Sequence, residues 1–222
     1  MGCSPRIKKK PFLNHLNVLL SMIEFNKAIT KIILHKDPDL NGLSPNAIKA
    51  LNDENRLILF QIYSDFLDND VEIEDWKKGN LKTLPKNGDS SNPNNWRGIN
   101  LRDVVSKLMS IIINTRIQEA LKKYGTSLQF GVSPNMGCPE GSFSLRSLLQ
   151  MRKEHNLQSW VVFADLIKAF DLIDHKLLFA LLEKFGIPSR LLQAIKNLYT
   201  NFEIELKIGK CKTRIDYTAG VK

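Results

Sequence analysis

Apolar residues recur at helical spacing along most of the chain, with polar residues between them. The pair Ser44-Pro45 is typical of a helix start, because proline is tolerated in the first helical turn. Gly125 stands where a glycine would end the longest apolar stripe. The predicted helices, in chain order, are 12–35, a short helix from Ser44, 54–68, 101–123, 140–153, 175–185 and a helix from Ser189.

Three segments have strand patterns instead. Leu81 to Pro85 is a short strand-like run, and Trp160 to Ala164 is apolar, β-branched and aromatic, which predicts a buried strand. Apolar and polar residues alternate strictly from Phe202 to Ile208, and the alternation resumes after Gly209-Lys210. This alternation predicts a hairpin with one solvent-exposed face. Helices and strands together predict an α+β fold.

Composition and charge point to the partner and the compartment. Hydrophobic residues make up 43% and charged residues 25%, as is typical of globular proteins. The net charge of +9 favours a polyanionic partner, nucleic acid before an anionic membrane. Cys3, Cys138 and Cys211 are far apart, which favours a reducing, intracellular compartment. No apolar run approaches the roughly 18 residues that span a bilayer, so we expect no membrane segment.

Two places carry candidate chemistry. Asp165 follows the predicted buried strand, where a carboxylate is costly without a partner such as a cation. By itself, Asp165 would fit an ordinary capping residue equally well. Lys86 and Arg97 flank the polar loop 87–95, and two cations at the base of such a loop could clamp phosphates. A merely solvated basic loop is the alternative there.

The thirteen residues from Phe163 to His175 closely resemble the first catalytic palm motif of reverse transcriptases from non-long-terminal-repeat retrotransposons. Residues 84–99 resemble the fingers motif of that family, with Trp96 in place of its usual aromatic residue and Gly98 in place of its proline. Residues 129–146 resemble the next motif of the family, but Val132 and Ser133 differ from its usual residues. Residues 36–43 resemble a further motif of the family more weakly. These motifs occur in the order of the family, so the chain is similar to its reverse transcriptase domain.

The resemblance implies RNA-templated DNA synthesis by nucleotidyl transfer, with an RNA template, a DNA primer and deoxynucleoside triphosphates as partners. It implies two Mg²⁺ ions about 3.5–4 Å apart, with Asp165 as the catalytic carboxylate that bridges both. The backbone carbonyl of Leu166 would be a further ligand. Asp171 would cap or pair, and His175 would be structural. The residues expected to contact the nucleotide are Lys86 and Arg97 at the triphosphate, and Ala169 and Phe170 at the sugar, where the Phe170 ring would exclude a 2′ hydroxyl.

The resemblance also implies an architecture. A helical region over 1–75 would precede fingers over 76–158 and the first half of a palm over 159–222. No two aspartates are adjacent in the sequence, which ends in Gly220-Val221-Lys222, similar to the beginning of the next palm motif. We therefore expect a domain truncated before its Tyr-x-Asp-Asp motif, inactive alone, with an uncovered apolar face on the 202–217 hairpin that a missing half or a partner would cover.

Two other functions stay open. The chain could be a non-catalytic remnant of a retroelement that binds nucleic acid or another partner. An RNA-templated RNA polymerase is the third possibility, which Phe170 disfavours because its ring would collide with ribose.

Overall fold

The computed structural model describes residues 8–34, 38, 39, 41–126, 128–131, 133, 135–208 and 211–221. These residues form a mixed α+β structure with seven α-helices and four strands. The helices are α1 Met22–Thr30, α2 Pro45–Lys49, α3 Asp53–Asp68, α4 Val104–Tyr124, α5 Cys138–Glu154, α6 His175–Lys184 and α7 Ser189–Tyr199. The strands are β1 Lys78–Pro85, β2 Trp96–Leu101, β3 Glu203–Ile208 and β4 Cys211–Asp216.

The chain divides into two compact units. The first comprises the described residues of 1–120 and 170–222, and the second those of 121–169. The four strands belong to the first unit and form one sheet in the order β2-β1-β3-β4. β1 pairs antiparallel with β2 and parallel with β3, and β3 pairs antiparallel with β4. The predicted strand at Leu81–Pro85 and the predicted hairpin over 202–217 are both confirmed.

Aromatic side chains form the core of the first unit. The Tyr63 ring lies 5.5 Å from the Phe25 ring and 5.3 Å from the Trp76 ring, measured between centroids. The Tyr63 hydroxyl donates to the carbonyl of Val105 on α4, and burial raises the pKa of this phenol well above its usual value. Phe25 and Tyr63 are fully buried, so α1, α3 and α4 share one apolar core.

The predicted helix over 12–35 is wrong in its extent. A 3₁₀ turn covers Asn14–Asn17, and α1 begins only after Ser21, whose hydroxyl accepts from the Glu24 N–H. Arg116 of α4 donates to the carbonyl oxygens of Leu16 and Val18, which a continuous helix would need for its own hydrogen bonds. The tertiary contact therefore competes with the helix. Four apolar residues of the predicted helix are exposed, namely Phe12, Leu19, Ile23 and Ile33.

The hairpin prediction is correct in its pairing and wrong in its exposure. We expected an uncovered apolar face, but Phe202 and Ile204 are buried and Leu206 is half-buried. β3 is an interior strand of the sheet, placed beside β1 in a parallel pair. Gly79 of β1 leaves the space that the Phe202 ring occupies, because a Cβ there would lie 2.8 Å from its Cζ. The side chain of Ile208 and the turn residues 209–210 lie outside the described part.

The predicted buried strand at Trp160–Ala164 is also wrong. This segment has no regular secondary structure and pairs with no described strand, and its side chains are exposed, Trp160 by 93% and Phe163 by 84%. β-propensity becomes a strand only when a neighbour supplies the ladder hydrogen bonds. Among the described residues of the second unit, none is buried.

Local signals at several helix ends are confirmed. Ser44 caps α2 with its hydroxyl, and the Gly125 N–H closes the last turn of α4 on the Leu121 carbonyl at 2.7 Å.

In the described part of the chain, no helix is both long and apolar enough to cross a membrane.

Candidate active site

The predicted phosphate-binding cations lie on the β1–β2 hairpin. Arg97 is paired with Leu84, and the Lys86 N–H donates to the Asn95 carbonyl at 2.6 Å, one step beyond the last strand pair. Lys86 directly follows the last residue of β1, and Arg97 is the second residue of β2. Both side chains are exposed. Lys86 Nζ donates to the Asn94 carbonyl at 3.2 Å, and Arg97 forms no ion pair within the described part.

The loop between them is held by its own polar groups. The Trp96 indole N–H donates to the Ser90 carbonyl at 2.8 Å, and the Asn95 amide donates to the Asp89 carbonyl at 2.8 Å. The Asp89 carboxylate accepts from the Ser91 hydroxyl at 2.6 Å and its N–H at 2.9 Å, and these bonds lower the pKa of Asp89. The loop thus has a defined conformation although it contains no apolar residue. Trp96 contributes to that conformation, a role that its place in the motif did not predict.

The predicted metal ligands belong to the second unit. Asp165 and Leu166 lie in the irregular segment after Trp160, and both are exposed. Carboxylate and carbonyl oxygens are the donor types that Mg²⁺ prefers. Among the described residues, however, no group of three or more Asp, Glu, His or Cys could hold a metal ion. The donor chemistry of Asp165 and Leu166 by itself fits Mg²⁺.

The predicted sugar-contacting residues lie in a turn that continues from this segment. Lys168, within the turn, adopts the left-handed backbone conformation, with a φ of 50°. Ala169 is exposed, and the Phe170 side chain is 65% exposed. The Phe170 carbonyl accepts the N–H of Val221 at 2.9 Å. We did not predict this contact. Its only signal in the sequence is the similarity of Gly220-Val221 to the beginning of a palm motif.

The predictions for the two remaining residues of the motif, Asp171 and His175, agree with the structure to different degrees. We expected Asp171 to cap or pair, but the cap of α6 is Asp174, whose carboxylate accepts from the Leu177 N–H at 2.7 Å. Asp171 lies four residues before His175, too early in the turn to reach the free N–H groups of that helix. His175 is structural as predicted, since its Nε2 lies 2.8 Å from the Gly220 carbonyl oxygen.

The motif-like segments 36–43 and 129–146 lie partly outside the described residues. Lys36 and Leu40 lie outside the described residues, but Asp39 accepts from the Leu43 N–H at 2.9 Å and from the Val104 N–H at 2.8 Å. Asp39 therefore organises a turn and the start of α4. In the segment 129–146, Val132 is outside the described part, and α5 begins with the Gly137 N–H bonded to the Glu140 carboxylate at 2.7 Å.

Comparisons with known proteins identify relatives of this chain. The chain is 26% identical over 206 residues, 87% of its length, to the "Transposon TX1 uncharacterized 149 kDa protein" of Xenopus laevis, of which it covers 15%. It is 26% identical over 134 residues, 60% of its length, to the "Retrovirus-related Pol polyprotein from type-1 retrotransposable element R2" of Popillia japonica, covering 19% of it. The corresponding type-2 R2DM polyprotein of Drosophila melanogaster is 23% identical over 116 residues, 52% of this chain and 11% of the relative.

The chain therefore spans less than a fifth of the length of each of these relatives. The family model described as "Reverse transcriptase (RNA-dependent DNA polymerase)" matches residues 84–220, more than half of the chain. The chain belongs to this family, as a reverse transcriptase domain of the non-long-terminal-repeat retrotransposon type.

Proposed function

We propose that this chain supplies the fingers, over 76–158, and the first part of the palm, over 159–222, of a domain that synthesises DNA on an RNA template. One observation carries the proposal. The family match over 84–220 contains all of the candidate site residues. These are Lys86, Arg97, Asp165, Leu166, Ala169 and Phe170.

Lys86 and Arg97 are assigned to the triphosphate of the incoming deoxynucleotide. They are exposed cations at the two ends of a loop that is held by its own hydrogen bonds. A phosphate group needs donors that are already in place, and an ordered hairpin supplies them at a smaller entropic cost than a mobile loop. Arg97 offers a forked pair of donors and Lys86 a compact charge, so the two complement each other.

Asp165 and the carbonyl of Leu166 are assigned as two of the Mg²⁺ ligands of the complete domain. Bound Mg²⁺ would supply Lewis-acid chemistry at the reacting phosphate. Asp165 is the candidate catalytic residue because its carboxylate is exposed and can reach an ion without breaking an internal salt bridge in the described part. Further carboxylates have to complete the ligand set.

Phe170 is assigned to the sugar of the nucleotide, next to Ala169, whose small side chain leaves room for it. Its ring is exposed while its backbone carbonyl is hydrogen-bonded to Val221. A bulky ring held under the sugar would collide with a 2′ hydroxyl, so deoxyribose would be selected over ribose.

The test is primer extension on an RNA template with Mg²⁺ and deoxynucleoside triphosphates. We expect no extension by the 222-residue chain, because two-ion catalysis needs more carboxylates than Asp165. A longer chain that continues through a second carboxylate motif should extend the primer, and Asp165→Asn should abolish its activity. Extension by the 222-residue chain that Asp165→Asn abolishes would contradict the proposed incompleteness. An inactive longer chain that still binds nucleic acid would instead support a non-catalytic remnant.

A further inference from the structure

We propose that His175 and Gly220 are positioning residues that fix the Phe170 turn and thereby set the discrimination between deoxyribose and ribose. This inference rests on the proposed function, which assigns Phe170 to the sugar. It concerns residues that would not touch the nucleotide themselves. The segment 219–221, which we call the latch, connects them to Phe170.

The latch is bonded to both ends of the Phe170 turn. The Val221 N–H donates to the Phe170 carbonyl at 2.9 Å, and the Gly220 N–H donates to the Ile173 carbonyl at 2.8 Å. Ala219 forms an antiparallel bridge with Asp174, directly before α6. The latch thus lies beside the turn like a short antiparallel strand. Because the Phe170 ring is 65% exposed, packing restrains it little, and the backbone bonds restrain its position.

Gly220 allows the latch to approach this closely. It is buried and has a φ of +95°, a conformation that L side chains rarely adopt. A Cβ at this position would lie 2.6 Å from the Tyr217 hydroxyl oxygen and 3.1 Å from the Asp171 carbonyl oxygen. A side chain at this position would be strained by the positive φ, would require the Tyr217 hydroxyl to shift and would press on the backbone of Asp171.

His175 holds the latch from the other side. Its Nε2 lies 2.8 Å from the Gly220 carbonyl oxygen, and since a carbonyl only accepts, Nε2 carries the hydrogen. The ring is fixed edge-to-face against Tyr199, at 4.9 Å between centroids, and lies 5.9 Å from the Tyr217 ring. The imidazole is thus held in place by aromatic packing while its Nε2 is bonded to the latch.

Two variants weaken the latch in different ways. His175→Phe keeps an aromatic ring against Tyr199 and removes the hydrogen bond to Gly220. Gly220→Ala adds the Cβ that collides with Tyr217 and Asp171. Gly42→Ala is the matched control, because Gly42 also has a positive φ, of +77°, but a Cβ there would meet nothing within 4 Å. The control separates backbone strain from displacement of the latch.

The first measurement is amide hydrogen exchange in the full 222-residue chain. We expect His175→Phe to speed exchange of the Gly220 and Val221 amides by about three- to tenfold, the range for loss of one net hydrogen bond. Gly220→Ala should speed exchange at Val221, and Gly42→Ala should leave both amides unchanged. Unchanged exchange in both latch variants would overturn the inference.

The second measurement is binding of dGTP and GTP with Mg²⁺, by competition against a fluorescent deoxynucleotide. The unaltered chain should bind dGTP more tightly than GTP. His175→Phe and Gly220→Ala should each reduce the ratio of the two affinities by about the same three- to tenfold factor. An unchanged preference despite faster exchange would overturn the specificity role. If the unaltered chain does not prefer dGTP, the assignment of Phe170 in the proposed function fails, while the exchange data still decide whether the latch fixes the turn.

Discussion

Arg116 and Glu24 form a two-point ion pair that joins α4 to α1. The Arg116 Nε and Nη2 atoms each lie 2.7 Å from a separate carboxylate oxygen of Glu24. The remaining nitrogen, Nη1, donates to the carbonyl oxygens of Leu16, at 3.5 Å, and Val18, at 3.0 Å. One guanidinium, 6% exposed in its side chain, thus satisfies a carboxylate and two peptide carbonyls 92 to 100 positions away in the sequence.

The first prediction is that Arg116→Met destabilises the fold by about 3 kcal/mol, because it leaves a mostly buried carboxylate and two carbonyls without their donor. The measurement is urea unfolding followed by circular dichroism. Lys78→Met is the control, since the Lys78–Asp75 pair at 3.1 Å is largely exposed and should contribute less than about 1 kcal/mol. Equal effects of the two changes would contradict the assigned role of Arg116.

The second prediction concerns pH and Asp103, the residue before α4. Burial raises the pKa of this carboxyl, and the nearby charge of Asp39 raises it further, against the opposing hydrogen bond from the Ser106 N–H. A raised pKa means that the folded state binds the proton more tightly than the unfolded state. This contribution to stability is therefore complete below the usual carboxyl pKa and is lost as the pH rises through the raised value.

Asp103→Asn should remove that pH dependence while keeping an oxygen that can accept from Ser106. The difference in free energy of unfolding, variant minus unaltered chain, should increase from pH 3 to pH 7, measured by urea unfolding at each pH. Asp75→Asn, at an exposed position, should show no such increase. A difference that decreases over this range would show that the Asp103 pKa is lowered instead.

A third prediction is that the chain binds nucleic acid without sequence preference and loses affinity steeply with salt. Its net charge of +9 favours binding to phosphate groups, which releases bound counterions. Replacing Lys86 and Arg97 together by Gln should weaken binding and reduce the slope of log affinity against log salt by about 1 for each phosphate group that is no longer neutralised. Fluorescence anisotropy with a labelled RNA–DNA duplex at several salt concentrations measures both quantities.

The matched control removes the same charge elsewhere, by Lys184→Gln and Lys207→Gln, two exposed positions outside the β1–β2 hairpin. This pair should change the slope less than the hairpin pair. If the two pairs have equal effects, the hairpin is not a preferred phosphate-binding surface. Absence of binding at low salt would reject the interaction altogether.

The fourth prediction tests the packing of β3 against β1. Gly79→Ala should destabilise the fold by about 1–3 kcal/mol, the usual cost of overpacking, because the new Cβ would collide with the Asn100 side chain and lie 2.8 Å from Phe202 Cζ. Gly131→Ala is the control, since a Cβ there would meet nothing within 4 Å. Thermal unfolding is the measurement, and a variant as stable as the control would mean that Phe202 can move aside.

The sequence determined the features that depend on near neighbours in the chain. The Ser44 cap, the end of α4 at Gly125 and the amphipathic stripe of α7 each follow from a few consecutive residues, and the structure contains all three. The period-two alternation likewise predicted the β3–β4 pair. The site residues remain predictions from the motifs.

Tertiary structure decided the features that depend on distant partners. Arg116 interrupts a helical pattern 98 positions earlier, and β3 pairs in parallel with β1, a distant segment of the chain. Trp160 to Ala164 has strand composition and yet no ladder, because hydrogen-bond partners are not encoded in the segment itself. The Val221–Phe170 bond is of the same kind, joining two residues that no local period connects. Propensity acts over a few residues, whereas burial and backbone pairing are settled only when distant segments meet.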